Sequence, residues 1–111
     1  MTLVLRVDTP AWMHNLDDLA GRVDGLIPVV KGNGYGFGTD ELVRRARGYS
    51  VVVAVGTEHE LSGLPDDLAA VVLSPTLTPS ARPRTIYTIG NDAHLEALAR
   101  VGGNEIGRAH V

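Results

Sequence analysis

Apolar and polar positions along the chain follow two alternating patterns. Short runs that are apolar on both faces occur at LVLRV (3–7), LIPVVK (26–31), VVVAV (51–55), LAAVVLS (68–74) and TIYTIG (85–90). Such runs predict strands covered on both sides, as in a parallel sheet. Between them lie stretches whose apolar residues recur every third or fourth position: TPAWMHNLDDLAG (9–21), TDELVRRARG (39–48) and NDAHLEALARV (91–101). These predict helices. Thr9 is the expected cap of the first, with Pro10 at its first position and Gly21 at its end. Thr39 caps the second, Asp40 and Glu41 complement its positive end, and Gly48 closes it. Asn91 caps the third. Thr57 and Glu60 have capping-box spacing after the third apolar run. Trp12, Leu16 and Leu19 form a stripe that predicts a core-facing side of the first helix.

Strand and helix signals in alternation predict an α/β fold with parallel strands. A (β/α)8 TIM-type barrel takes about 250 residues, so the four strands counted from Leu26 amount to roughly its first half, a partial barrel. A doubly wound sheet is the alternative. Pro28 places its strand at an edge or start, since proline cannot donate to the ladder. A half-barrel would leave parallel edges unpaired, which invites aggregation. In both architectures chemistry sits at the carboxyl ends of the strands.

Lys31 lies at such an end, and Gly32, Gly34, Gly36 and Gly38 follow at every second position. It is the sole lysine; the other nine Lys/Arg residues are arginine. A strand-capping surface cation beside a flexible turn is the plain reading. The retained amine argues for more, because lysine can lose its proton and attack a carbonyl, whereas a guanidinium with a pKa above about 12 cannot. Apolar neighbours would favour the neutral, nucleophilic amine. Phosphate-loop readings fail on spacing. The glycines give G-x-G-x-G-x-G rather than G-x-G-x-x-G, and Lys31 precedes them instead of following them as in a P-loop.

Composition narrows the partners. Net charge is −3 with both signs scattered, which argues against nucleic acid. There is no cysteine, so disulfides and thiolate chemistry are excluded. His14, His59, His94 and His110 make no ligand-spaced pair, and no metal site is expected; His94 reads as a solvated helix residue. No apolar run reaches the roughly 20 residues of a membrane helix, and the N-terminus lacks a basic leader region. A soluble, cytoplasmic protein is the expectation, with no membrane partner.

Lys31-Gly32-Asn33-Gly34-Tyr35-Gly36-Phe37-Gly38 resembles the lysine motif of the alanine racemases, usually K-A-N-A-Y-G-H-G. VDTPAWMHNL, through Asp8, His14, Asn15 and Leu16, is similar to the family's N-terminal segment. VAVGTEHEL and VVLSPTLTP resemble the next strand–helix junction and the third barrel strand. The resemblance extends to Gly103. It implies a fold-type III enzyme that uses pyridoxal 5'-phosphate, with a (β/α)8 barrel, a C-terminal β domain, a homodimeric assembly and a small amino-acid substrate. It implies that Lys31 carries the cofactor as an internal aldimine and is one of two catalytic bases. It also implies that Tyr35 is cofactor-binding, through its hydroxyl on the phosphate. The second base, a tyrosine of the partner subunit in that family, has no match here, so the chain as given is expected to be inactive alone. Phe37 replaces the usual histidine, and Gly32 and Gly34 replace alanines, changes expected to loosen the loop. Substrate choice stays open.

The leading reading is therefore part of an amino-acid racemase that interconverts L and D forms. A non-catalytic pyridoxal-phosphate-binding or regulatory relative is the alternative, and a nucleotide-binding module a weaker one. IGRAHV (106–111) matches the translation of a common sequencing adapter and is read as not native, the N-terminal barrel portion being residues 1–103.

Overall fold

The computed structural model describes residues 2–101 and the backbone of 105–108. Its elements run α1 (Thr9–Arg22), a single helical turn α2 (Lys31–Tyr35), α3 (Thr39–Ala46), β1 (Val52–Val55), a 3-10 helix η1 (Glu58–Gly63), β2 (Ala69–Val72), β3 (Thr85–Ile89), α4 (Asp92–Val101) and β4 (Glu105–Arg108). The four strands form one sheet in the order β1-β2-β3-β4, every pair parallel. Val29 adds a single parallel bridge to Ala54 on the other side of β1. Spatial order thus follows chain order without a reversal. A doubly wound sheet needs a switch point, and among the described strands there is none. The architecture is an arc of a TIM-type barrel.

The core lies between the strands and the elements packed on one side of them. Val53 and Val55 of β1, Ala70 and Val72 of β2, and Tyr87 and Ile89 of β3 are buried in one cluster with Val43 and Ala46 of α3, Leu61 of η1 and Leu98 of α4. The alternation along β3, where Thr85, Tyr87 and Ile89 are buried and Ile86 and Thr88 half-buried, reflects the two-residue period of a strand. Proline punctuation at 75, 79 and 83 keeps the β2–β3 connection free of helix. That connection is held instead by side chains. The Tyr87 hydroxyl accepts from the Ser80 N–H at 2.7 Å and lies 3.2 Å from the Ser80 carbonyl, to which it donates. Arg82 donates to the carbonyls of Pro65, Leu68 and Pro83 and to Thr85 Oγ1.

Several expectations need correction. Residues 3–7 form no strand, and Leu3 is 98% and Leu5 74% exposed. β-branched propensity stabilises a strand only against a neighbour, and no described strand pairs with this one. The strand expected at 26–31 is reduced to the Val29 bridge, made by the Ala54 N–H to the Pro28 carbonyl at 2.8 Å and the Val30 N–H to the Ala54 carbonyl at 2.9 Å. Pro28 has no N–H to extend it, and the backbone turns left-handed immediately after Lys31. Asp8, not Thr9, caps α1, accepting from the Ala11 N–H at 3.1 Å, and the helix passes Gly21 to end at Arg22. The Trp12–Leu16–Leu19 stripe is not core, because no α1 residue is buried. Asn91 does cap α4, accepting from the His94 N–H at 3.0 Å. His94 is not simply solvated: its Nδ1 accepts from the Gly90 N–H at 3.1 Å. Residues 102–104 and 109–111 lie outside the described residues, so the segment expected to be adapter-derived is described only over Ile106–Arg108, as backbone beside β3.

α1 docks through long side chains. The Trp12 ring meets the Phe37 ring at a centroid separation of 5.5 Å, and the Arg45 guanidinium lies 4.7 Å above Trp12. The Tyr49 hydroxyl donates to Asp17 at 2.6 Å. That bond raises the phenol's pKa, with burial and the Asp17 charge adding to it.

Truncating Arg82 to alanine removes four hydrogen bonds at the sheet's amino-terminal edge, although the Pro65 carbonyl keeps the Leu68 N–H and the Pro83 carbonyl keeps the Thr85 hydroxyl. We expect a loss of about 1.5–3 kcal/mol in chemical denaturation, the range for hydrogen bonds to a charged group. Glu41 is held below the usual carboxylate range by its hydrogen bonds to Arg44 and Arg45. Asp67 is held low by Arg47. Groups with depressed folded-state values stabilise above their unfolded values, 4.5 and 3.8 respectively, and that contribution is lost as pH falls through the folded values. Thermal melting should therefore be level near neutrality and decline below pH 4.5, with the decline blunted by salt because the Arg44–Glu41 and Arg47–Asp67 pairs are exposed.

Candidate active site

The site is built on backbone that bends the wrong way for L-residues. Gly32, Asn33, Gly34 and Tyr35 have φ of 65°, 52°, 64° and 55°, which makes α2 a left-handed turn. Left-handed geometry costs roughly 1–2 kcal/mol per residue with a Cβ and essentially nothing for glycine. The glycines at 32 and 34 thus remove the penalty at two of four positions, and those at 36 and 38, with φ of 87° and 97°, carry the chain out of the turn. Internal bonds close it: the Gly34 N–H donates to the Val30 carbonyl at 3.1 Å, and the Gly38 N–H to the Asn33 carbonyl at 2.9 Å. The glycines therefore do not loosen the loop. They permit an ordered turn.

Two side chains tie this turn to its surroundings. Asn33 Oδ1 accepts from the Thr39 N–H at 3.2 Å, supplying from a distance the cap of α3 that Thr39 was expected to provide. Thr39 is instead the first helical residue, with Gly38 at the cap position. Glu60 Oε2 accepts from the Gly32 N–H at 2.9 Å, and Glu60 Oε1 from the Thr57 N–H at 3.2 Å. The second contact is the capping-box arm that the spacing predicts. The first reaches across 28 positions of chain, beyond what local spacing predicts. Its signal was present in retrospect, since a capping-box glutamate directly after a parallel strand stands at the same sheet end as Lys31.

Lys31 lies at the start of the turn, at the carboxyl end of the segment bridged to β1, and it is exposed. The apolar enclosure expected for its amine is not supplied by the described residues. Tyr35 is 58% exposed, and its hydroxyl has no hydrogen-bond partner among the described residues. A Cβ added at Gly32, Gly36 or Gly38 would meet nothing within 4 Å, so open space borders the turn. Phe37 turns away to Trp12. Behind the turn an apolar cleft of about 620 Å³ runs between α1 and α3, walled by Trp12, Leu16, Leu19, Val29, Phe37 and Leu42.

On the same sheet end, Glu58 accepts from the Thr78 hydroxyl at 2.9 Å, and His59 lies 3.5 Å from it. Burial alone would raise the Glu58 pKa, but the backbone, Thr78 and Thr76 bonds outweigh it and hold the carboxyl low. Among the described residues no group of three or more His, Asp or Glu is placed to hold a metal ion. None of the described helices is long and apolar enough to cross a membrane.

A parallel barrel arc with a lone amine at its carboxyl edge, set on a glycine-rich left-handed turn, defines a lysine-centred α/β site. The sequence profile described as "Alanine racemase, N-terminal domain" matches residues 7–111, and the chain belongs to that family. Its members are fold-type III proteins that use pyridoxal phosphate. No curated protein and no solved structure matches the chain in the corresponding comparisons.

The two inner glycines share a φ but not their surroundings. A Cβ at Gly34 would lie 3.1 Å from Leu42 Cγ and 3.2 Å from the Thr39 nitrogen. Gly32→Ala should therefore cost only the backbone strain, about 1–2 kcal/mol. Gly34→Ala should cost more, by an amount that Leu42→Ala relieves only in part because the Thr39 nitrogen is backbone, as equilibrium unfolding of the three single variants and the Gly34→Ala/Leu42→Ala double variant will show.

Proposed function

We propose that the chain binds pyridoxal 5'-phosphate through Lys31 and contributes the lysine half of an amino-acid racemase site. The observation that carries this reading is the turn itself: the sole lysine opens a left-handed turn that ends at an exposed phenol with no hydrogen-bond partner among the described residues, on backbone bare enough for close approach. An amine, a phenolic donor and a glycine edge suit a phosphorylated aromatic aldehyde. When bound, that cofactor supplies the electron-withdrawing ring that makes the α-carbon of an amino acid acidic.

The chain's own residues have separable parts. Lys31 Nζ holds and moves the proton on one face of the substrate's α-carbon. The Tyr35 hydroxyl donates to a phosphate oxygen. The left-handed turn sets the backbone course between these two residues, and positioning is the protein's largest lever on such chemistry. Inversion needs a second proton carrier on the opposite face; a homodimeric partner supplies it in this reading, with a small amino acid as substrate and the cytoplasm as the setting. The same reading keeps residues 106–111 outside the native protein. Sequencing the genomic locus across the Gly103 codon tests that point, and a native IGRAHV ending would overturn it.

The competing reading, a non-catalytic pyridoxal-phosphate-binding relative, draws support from Phe37. Its ring is committed to Trp12, so a position that is usually polar in the lysine motif offers no titratable group here.

Incubation with pyridoxal 5'-phosphate and borohydride should leave a pyridoxyl mass on the Lys31 peptide in the wild type. In Lys31→Ala no visible cofactor absorbance should remain. Unlabelled Lys31 sinks the cofactor assignment. Chiral chromatography of amino acids exposed to the locus-encoded protein then separates the two readings: accumulation of the opposite enantiomer supports the racemase, and its absence with labelled Lys31 supports the non-catalytic relative.

A further inference from the structure

We infer that Glu60 is a positioning residue for Lys31, holding the left-handed turn in register with the β1–η1 junction; the inference rests on the cofactor role proposed for Lys31. The Glu60 carboxylate divides its oxygens between two backbone donors from different parts of the chain. Oε2 takes the Gly32 N–H, the amide immediately after Lys31, and Oε1 takes the Thr57 N–H. One side chain thus clamps the residue following the amine to the loop following β1.

The geometry depends on a gap at Gly56. An ideal Cβ there would lie 2.9 Å from Glu60 Oε1 and 3.5 Å from Lys31 Cβ. Gly56 has no positive φ, so its missing side chain is not explained by backbone conformation. The space it leaves lets the carboxylate pass between the two segments. Glu60 itself is fixed from below, because η1 sets its position through the Glu60 N–H to the Thr57 carbonyl at 3.1 Å.

Energetics favour a directing role over a passive one. Asn33 and Tyr35 hold left-handed backbone, which is unfavourable for a residue with a Cβ and less so for asparagine than for tyrosine. A charge-assisted bond to a backbone amide is about twice as strong as a neutral one, and here it fastens the turn at Gly32, immediately before the first strained residue. Without the clamp the turn's first amide loses the one side-chain acceptor it has among the described residues, and the backbone that carries Lys31 is no longer tied to the β1–η1 junction.

The sole lysine makes the test clean, because the only competing amine is the N-terminus. Two measurements are made on the intact chain and on Glu60→Ala, Glu60→Gln and Gly56→Ala. The first is amide hydrogen exchange at Gly32 and Thr57 in the absence of cofactor. The second is the ratio of pyridoxyl label on Lys31 to label on the N-terminus after limited exposure to pyridoxal 5'-phosphate and borohydride. Glu60→Ala should speed Gly32 exchange by at least about tenfold. It should also lower the Lys31 labelling ratio by about tenfold. Gly56→Ala should reproduce both effects with Glu60 present. Glu60→Gln should recover part of the Gly32 protection, since its single carbonyl oxygen can still accept one of the two amides. Unchanged Gly32 exchange in Glu60→Ala overturns the clamp. Faster exchange with an unchanged labelling ratio overturns the positioning role. If wild-type Lys31 is no more reactive than the N-terminus, the cofactor reading fails instead, while the exchange data still decide whether Glu60 holds the turn.

Discussion

Everything near Lys31 depends on holding four consecutive residues in left-handed backbone. Helical hydrogen bonds alone do not account for it, because the same residues would make equivalent bonds in a right-handed turn at no steric cost. Glycines at 32 and 34 halve the penalty, and side chains from outside the turn offset the remainder. Asn33 spends its amide oxygen on the first N–H of α3, and Glu60 spends its carboxylate on the Gly32 N–H. The turn is consequently bonded on one side to the helix that follows it and on the other to the strand–helix junction across the sheet. A left-handed turn carries Lys31 and Tyr35 along a path that right-handed backbone would not follow, so the strain sets the placement of the amine and the phenol.

The sheet explains why this end of the molecule is where a site can form. Parallel strands in sequential order bring the segment ending at Lys31, the Gly56–Thr57 junction after β1, Ser74 after β2 and Gly90 after β3 to one rim. The Ser74 N–H donates to the Gly56 carbonyl at 2.9 Å, so neighbouring junctions are bonded to each other as well as to their own strands. The opposite edge is locked by Arg82, which gathers carbonyls from both connections flanking β2. One edge is tied by a single guanidinium, and the other gathers the residues of the candidate site.

Much of this was legible in the residues. Apolar runs and capping signals locate β1, β2, β3, α3 and α4, because a two-sided strand and a capped helix each impose a local pattern. The glycine spacing marks the turn, which begins at Lys31 and ends at Tyr35. Three features were not legible. The apolar run at 3–7 and the one at 26–31 look alike, yet strand formation depends on a neighbour, and local sequence carries no record of one. Left-handedness of the turn is permitted by glycine but chosen by long-range bonds. Glu60 shows a local capping role in its spacing and hides the remote one, since an acceptor with two oxygens can serve a neighbour and a distant amide at once.

Phe37 shows how a departure from a motif is absorbed. At the position where the family motif usually has histidine, this chain has a ring that meets Trp12 of α1, and Arg45 of α3 lies over the other partner in that contact. Arg45 is itself directed by Glu41, at 2.8 Å from Nε to Oε1, and also reaches Met13 Sδ at 3.2 Å. The residue thereby changes function from a polar group beside the turn to an apolar tie between the turn and α1. Because α1 buries none of its residues, this aromatic contact and the Tyr49–Asp17 bond carry much of its attachment. Motion of α1 would then be felt at Phe37, one residue beyond Gly36 and two beyond Tyr35. The left-handed turn is braced by Glu60 and Asn33 at its start and by an aromatic contact after its end, so the backbone that carries the lysine and the phenol is held from both directions.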